Sequence, residues 1–183
     1  MENQANGLGK VNKKLTSVEK ATSTILNNIP VLSSYEEIVL NSLGKTLAKP
    51  VTALLSNPPS DVSSMDGYAL KNSDIDNGVL EFTVIDESVA GKSSSKNVAT
   101  MQTVRIFTGA KIPHGADRII LQEDVTRLGN NLIKINKNKL ENYNSFIRKT
   151  GMDFKLGEKL IDKGEVLNTR NISLCVASGN SWV

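Results

Sequence analysis

Four short oxygen-bearing side chains, Asp61, Ser63, Ser64 and Asp66, crowd into the stretch 57–70, which reads NPPSDVSSMDGYAL. Carboxylates and hydroxyls this close in sequence can bond their own backbone amides, receive a ligand's donors or hold a cation. Pro58 and Pro59 remove two amide donors and exclude helix at the start of the stretch; a central strand is not expected there, and the residues after the prolines read as a loop. Met65 and Tyr68 supply apolar anchors, and Gly67 can take a backbone path that a side chain would forbid. By composition alone this is an Asx-rich connecting loop. The remaining reactive types are sparse: one histidine, His114, and one cysteine, Cys175, which cannot build a zinc site or an internal disulfide. Cys175 falls on the apolar face of an expected helix and reads as a small buried hydrophobe rather than a reactive thiol.

The elements that must carry these residues emerge from local patterning. With 183 residues, 39% hydrophobic and 22% charged, the chain has the composition of a soluble globular protein with one domain or two small ones. Aromatics at 4% argue against base stacking as its business, and a net charge of +3 is too small for a nucleic-acid surface; Lys10, Lys13 and Lys14 read as a solvated tail within an N-terminus expected to be poorly ordered. No apolar run approaches the roughly 18 residues of a membrane span, no signal peptide is recognisable, and a reducing cytoplasm is expected. Thr16 and Glu19 suggest a capping box opening a helix that Pro30 stops, with Val18, Ala21, Ile25, Leu26 and Ile29 as a narrow apolar stripe. Residues 35–40 suggest a helical turn followed by a strand; Leu43, Leu47 and Ala48 fit one or two helical turns before Pro50, and 51–55 an extended run. Strands are expected near 80–85, 103–107 and 118–125, with Val104 and Ile106 on one face and Arg105 and Phe107 on the other. The 129–131 turn leads into a hairpin strand at 132–136, while 91–96, GKSSSK, reads as a flexible turn. Residues 146–164 read as strands and turns, and Asn168 caps a final helix that Gly179 ends.

The order of the loops carries more than any one of them. SSMDGYAL, then VRIFTGAKIPHGADRIILQEDV, then FIRKTGMD resembles the molybdopterin molybdenumtransferase family, the bacterial MoeA proteins and the E domain of gephyrin. That family's S-A-M-D-G-Y-A, T-G-A-x-x-P-x-G-A-D, V-x-x-Q-E and I-R-x-x-G-x-D segments stand here at 63–69, 108–117, 120–123 and 147–153. The resemblance covers roughly 17–183. Val62, Ser60 and Met152 depart from the pattern.

What the resemblance implies is transfer of molybdenum from molybdate to molybdopterin, taken as its adenylate, with magnesium as the divalent cation. It nominates Asp66 and Thr108 as catalytic, and Ser63, Ser64, Asp66, Gly67, Thr108, Gly109, Arg148 and Asp153 as ligand-binding; it assigns no metal ligand. Asp66 could bind a cation, orient a donor or bond the pterin. Thr108 and Gly109 offer a hydroxyl and amides to a phosphate or oxyanion, and Arg148 a planar fork to the same groups, with Asp153 holding it or adding a contact. The plainer alternative is that Asp66 caps a turn, Thr108 is satisfied within its loop, and Arg148 and Asp153 form a structural ion pair. The implied architecture is a β-rich α/β chain: an elongated discontinuous domain from 1–50 and 146–183, with a β-barrel-like domain, 51–145, inserted. Family members continue into an α/β domain that carries most of the pterin-handling residues, so this stretch is expected to supply one wall of a composite site and to be inactive alone. A homodimer is expected, with the molybdopterin-adenylating enzyme as pathway partner and neither nucleic acid nor membrane bound; the alternative is a non-catalytic dimerisation or interaction module on the same scaffold.

Overall fold

The computed structural model describes residues 15–140 and 144–183; the expected N-terminal tail, with Lys10, Lys13 and Lys14, lies outside the described residues. Two compact units divide after Tyr35. The first contains helix α1, Val18–Asn28. Its cap is Ser17, whose side chain accepts from the Lys20 amide at 3.3 Å, so the expected capping box on Thr16 starts one residue too early. Glu19 then falls in the first turn, where its charge complements the helix dipole. No residue of α1 is buried.

In the second unit, short segments pair over long sequence distances. Strand β1 (Val51–Thr52), β2 (Val62–Ser63), β3 (Gly67–Leu70), helix α2 (Asn72–Asp76), β4 (Glu81–Ser88), β5 (Gln102–Ile106), β6 (Arg118–Leu121), β7 (Val125–Arg127), β8 (Leu132–Ile135), β9 (Ile147–Arg148), β10 (Lys159–Ile161) and helix α3 (Thr169–Ala177) succeed one another in order. Six strands form one sheet in the order β6-β3-β5-β4-β8-β7. Within it β4 and β5 run parallel. The two edge strands, β6 and β7, are consecutive in the chain and joined by a single 3-10 turn, Gln122–Asp124. Four Cα steps span about 14 Å at most, so the sheet must curl until its edges approach, a half-barrel shape.

Strand β3 corrects the loop expectation for 57–70. Its four residues, the last of that stretch, form a central strand between β6 and β5, and all four are buried. Alternation distributes them over both faces. Tyr68 and Leu70 join Phe82, Ile120, Ile133 and Ile135 in one cluster, while Ala69 joins Ile106, Ala110 and Ile119 in another. Gly67 is required by proximity: a Cβ there would lie 2.1 Å from the Ile120 carbonyl oxygen of β6.

A separate cluster holds the two ends of this unit together, joining Val39, Leu47 and Val51 to Ile161, Leu167 and Cys175. Strand β1 pairs with β10, and single bridges join Ile38 to Trp182 and Thr46 to Val166. The expected helix around Leu43 and Leu47 does not form: after a turn at 43–44 the chain pairs with a distant segment, the Leu47 amide donating to Glu165 and its carbonyl accepting from Gly164. The strand expected at 38–40 is instead a 3-10 turn, Val39–Asn41. Helix α3 forms as its signals dictate, with a reciprocal capping box between Asn168 and Asn171 and Gly179 at φ +86 after its end. Cys175 is buried on its inner face, where desolvation pushes the thiol pKa up. Among the described residues no helix is long and apolar enough to cross a membrane.

Candidate functional site

Three segments of the second unit meet beside β3. Antiparallel pairing of β2 with β9 sets Val62 opposite Arg148 and Ser63 opposite Ile147. On the other side, Ser63 exchanges backbone bonds with the 109–110 turn: its amide donates to Ala110 at 2.9 Å and its carbonyl accepts from Gly109 at 2.8 Å. The Ser64 amide and hydroxyl both donate to the Phe146 carbonyl at 2.9 Å. Ser63 is buried, and its hydroxyl bonds to Met65. The two serines thus fasten three segments together.

Asp66 and Thr108 form a clasp at the end of β3. Oδ1 of Asp66 accepts from both the Thr108 amide and its hydroxyl, each at 2.8 Å. These two donors, the amide first, hold the carboxyl below the usual aspartate range, with help from the Arg105 charge. Among the described residues Oδ2 accepts no hydrogen bond, so half of the carboxylate is still available. Gly109 comes next with φ +80, which a side chain would strain, and ends the turn.

Arg105 supports this clasp from the sheet. Its guanidinium lies 5.0 Å from the Tyr68 ring centroid and 4.7 Å from that of Phe107. It donates to the Gly67 carbonyl at 3.1 Å and to Oε1 of Gln122. The Gln122 amide in turn donates to the Asp66 carbonyl at 3.2 Å. A cleft of about 420 Å³ opens here, lined by Arg105, Gln122, Glu123 and Arg127 among others.

Arg148 and Asp153 pair directly: Nη2 reaches both carboxylate oxygens, at 2.7 and 2.8 Å, with the two side chains 44% and 42% exposed. A second aspartate–threonine clasp lies nearby. Oδ1 of Asp61 accepts from the Thr150 amide at 2.9 Å and hydroxyl at 3.1 Å, while Oδ2 accepts from Lys149 at 2.8 Å. The Lys149 ammonium is the main cause of its lowered pKa.

The segments that meet here are those of the sequence resemblance: 63–69, 108–117, 120–123 and 147–153. Comparison with known families matches residues 16–179 to the pattern described as MoeA N-terminal region (domain I and II). The chain belongs to that family. Relatives named molybdopterin molybdenumtransferase are 30% identical over 166 residues in Haemophilus influenzae, 30% over 172 in a Nostoc species and 31% over 170 in Staphylococcus aureus. The chain spans 40%, 39% and 40% of their lengths, while the matches take in 90%, 90% and 91% of its own. A crystal structure of a molybdopterin biosynthesis MoeA protein from Pyrococcus horikoshii superposes with a TM-score of 0.80 at 28% identity, covering 93% of this chain and 44% of that one.

Within the MoeA-type fold, Ser63, Ser64, Asp66, Gly67, Thr108 and Gly109 therefore assemble around one turn, and Arg148 and Asp153 lie one strand pairing away. Sequence reasoning assigned no role to Arg105, Gln122, Lys149 or Thr150. The only local signal for Arg105 was a cation alternating with Val104 and Ile106 in a strand, next to Phe107 on its own face.

Proposed function

We propose that this chain is the N-terminal portion of a molybdenum cofactor biosynthesis enzyme that inserts molybdenum from molybdate into adenylated molybdopterin, and that it forms one wall of the site. The supporting observation is convergence: four segments spread over 63–153 meet on the Asp66–Thr108 clasp and the β2–β9 pairing. In this reading Asp66 keeps the 108–109 turn in place with one oxygen and presents the other to the ligand. Arg148 offers its guanidinium to the ligand's anionic groups, and Asp153 fixes the direction of Arg148; the Gly109 amide is spent on the Ser63 carbonyl, so Gly109 shapes the turn rather than donating to the ligand.

Magnesium is not accommodated by these residues alone. Among the described residues no three of His, Cys, Asp or Glu converge, and Asp66 brings a single open oxygen to an ion that takes about six. No step through the metal is assigned to this chain.

The proposal includes a discontinuous domain from 1–50 and 146–183 with a barrel-like insert at 51–145; the β1–β10 pairing supports only the return of the chain near 159–161 to the segment around residue 51. It includes a cytoplasmic homodimer supplied by a molybdopterin-adenylating enzyme. A monomeric mass by light scattering at tens of micromolar would refute the dimer. Fluorescence titration of the chain with adenylated molybdopterin and magnesium tests the site: saturable binding, weakened at least about tenfold in Asp66→Asn, is expected. Absence of binding, together with undiminished molybdenum insertion by an Asp66→Asn protein that also carries the family's α/β domain, would leave an interaction module as the function.

A further inference from the structure

A second cleft, of about 450 Å³, shares no lining residue with the one beside Arg105. Its walls are the proline stretch after Asn57, the turn at 89–93 and β2, and its lining includes Ser60, Gly91, Ser93, Gly109, Lys111 and Arg148. The charged side chains on this wall are both cationic. The cleft beside Arg105, by contrast, sets Glu123 against Arg105 and Arg127. The two clefts therefore differ in sign as well as position.

The cations are placed differently. Lys111 is exposed, and among the described residues its ammonium makes neither an ion pair nor a hydrogen bond. Its backbone is fixed: Lys111 bridges to Val62, and its carbonyl accepts from the Ser88 hydroxyl at 3.1 Å. Arg148 commits Nη2 to Asp153 and keeps its other nitrogens. The opposite wall is the GKSSSK segment, expected to be a flexible turn, which is instead tied down. Val89 and Lys92 exchange backbone bonds at 3.1 and 3.0 Å around Gly91 at φ +81. The Ser94 amide donates to the Ser88 hydroxyl at 3.3 Å, and the Ser94 hydroxyl to Asp86 at 2.6 Å. Among the described residues the amides of Gly91 and Ser93 have no acceptor.

Hydroxyls, unpaired amides in a left-handed turn and an unpaired ammonium, with no facing carboxylate in the lining, make a concavity suited to a tetrahedral dianion. We infer that this cleft is a phosphate subsite in which Lys111, aided by Arg148 and the 89–93 turn, holds a phosphate or pyrophosphate group of the ligand. The inference rests on the proposed function for the ligand's identity but not for the cleft's chemistry. Two sources share that chemistry: the pyrophosphate bridge of an adenylated pterin and the phosphate monoester of the pterin itself.

The test is an amide-resolved NMR titration of the full chain at low ionic strength. Inorganic pyrophosphate is expected to shift the amides of Gly91, Ser93, Gly109 and Lys111, with affinity reduced at least tenfold in Lys111→Ala and unchanged in Lys92→Ala. Lys111→Gln repeats the measurement if the alanine variant loses thermal stability. AMP competing at the same amides assigns the subsite to an adenylate; glycerol phosphate competing where AMP does not assigns it to the monoester. Unshifted amides, or equal weakening by Lys111→Ala and Lys92→Ala, would overturn the inference. Lys111-dependent binding in a chain whose longer form inserts no molybdenum would sink the transferase reading and leave the subsite. Active insertion with no Lys111-dependent binding would do the reverse.

Discussion

Asp61 and Asp66 stand five residues apart in one stretch and do the same local chemistry. Each carboxylate takes a threonine's amide and hydroxyl onto Oδ1, Thr150 for Asp61 and Thr108 for Asp66. The second oxygen distinguishes them. That of Asp61 is occupied by Lys149, which neutralises it, whereas that of Asp66 is open among the described residues, and its nearest compensating charge, Arg105, is committed to Gly67 and Gln122. One clasp closes a structural circuit between the start of the stretch and 149–150. The other holds a turn and has one oxygen left for a ligand. Residual hydrogen-bonding capacity, rather than residue type or motif, separates the functional candidate from its structural twin.

The glycines beside the two clasps separate them most strongly. Gly67→Ala would press a Cβ to 2.1 Å from the Ile120 carbonyl, and backbone does not yield cheaply; a loss of about 3 kcal/mol or more is expected by chemical denaturation. At Gly151, beside the other clasp and at φ +69, a Cβ would press on side chain rather than backbone: Lys155 Cγ lies at 2.8 Å, and the nearest backbone atom at 3.6 Å. Gly151→Ala should therefore cost only about 1–2 kcal/mol, the strain of a left-handed side chain. Equal losses would mean that β3 is not held against β6 as described. Next in size is the split between activity and stability. In a protein that also carries the α/β domain, Asp66→Asn keeps the Thr108 acceptor but removes the charge, and molybdenum insertion should fall about 10²-fold while the melting temperature barely moves. Asp61→Asn should change insertion by less than about twofold, since an exposed ion pair is all it loses. Asp61→Ala, which frees both Thr150 donors to water, should cost about 1 kcal/mol, seen as a fall of about 3 °C in Tm for a chain of this size.

How far the sequence discloses this arrangement depends on how local each cause is. Helix α3 is legible because Asn168, Asn171 and Gly179 act within a few residues of one another, and the β7–β8 hairpin because its turn lies between its strands. Strand β3 is hidden: Tyr68, Ala69 and Leu70 are buried on both faces, so no polar alternation marks them, and Pro58 and Pro59 dominate the reading of the stretch. The false helix at Leu43 and Leu47 arises because their spacing is helical while their bonding partners lie near residue 165. Asp66, Thr108 and Arg148 could be nominated from the order of four segments. Arg105 could not: its role consists of contacts to Tyr68, Phe107, Gly67 and Gln122 that only the folded sheet brings together. The Asp61–Thr150 clasp joins residues 89 apart and left no trace that spacing could reveal.

The smallest expected effect is also the most direct comparison of the two carboxylates. Both have folded pKa values below the ordinary 3.8, so the fold favours their ionised forms. The stability they contribute is fully present above the unfolded value and is lost as pH falls from about 4 through the folded values; above about pH 5 neither imposes any pH dependence. The causes differ in kind. Asp61 is lowered first by Lys149, a partner 69% exposed to salt, and Asp66 first by the neutral amide and hydroxyl of Thr108. Screening acts on charge–charge attraction between exposed groups and far less on a hydrogen bond from a neutral donor. Carboxyl carbon NMR titrations at low ionic strength and at about 1 M salt, where the Debye length shrinks to about 3 Å, should show Asp61 moving back toward its ordinary value more than Asp66. Lys149→Ala should reproduce the salt effect on Asp61 and leave Asp66 unmoved. If Asp66 instead proves the more salt-sensitive, Arg105 rather than Thr108 governs its charge, and the open oxygen belongs to an ion pair rather than to a ligand.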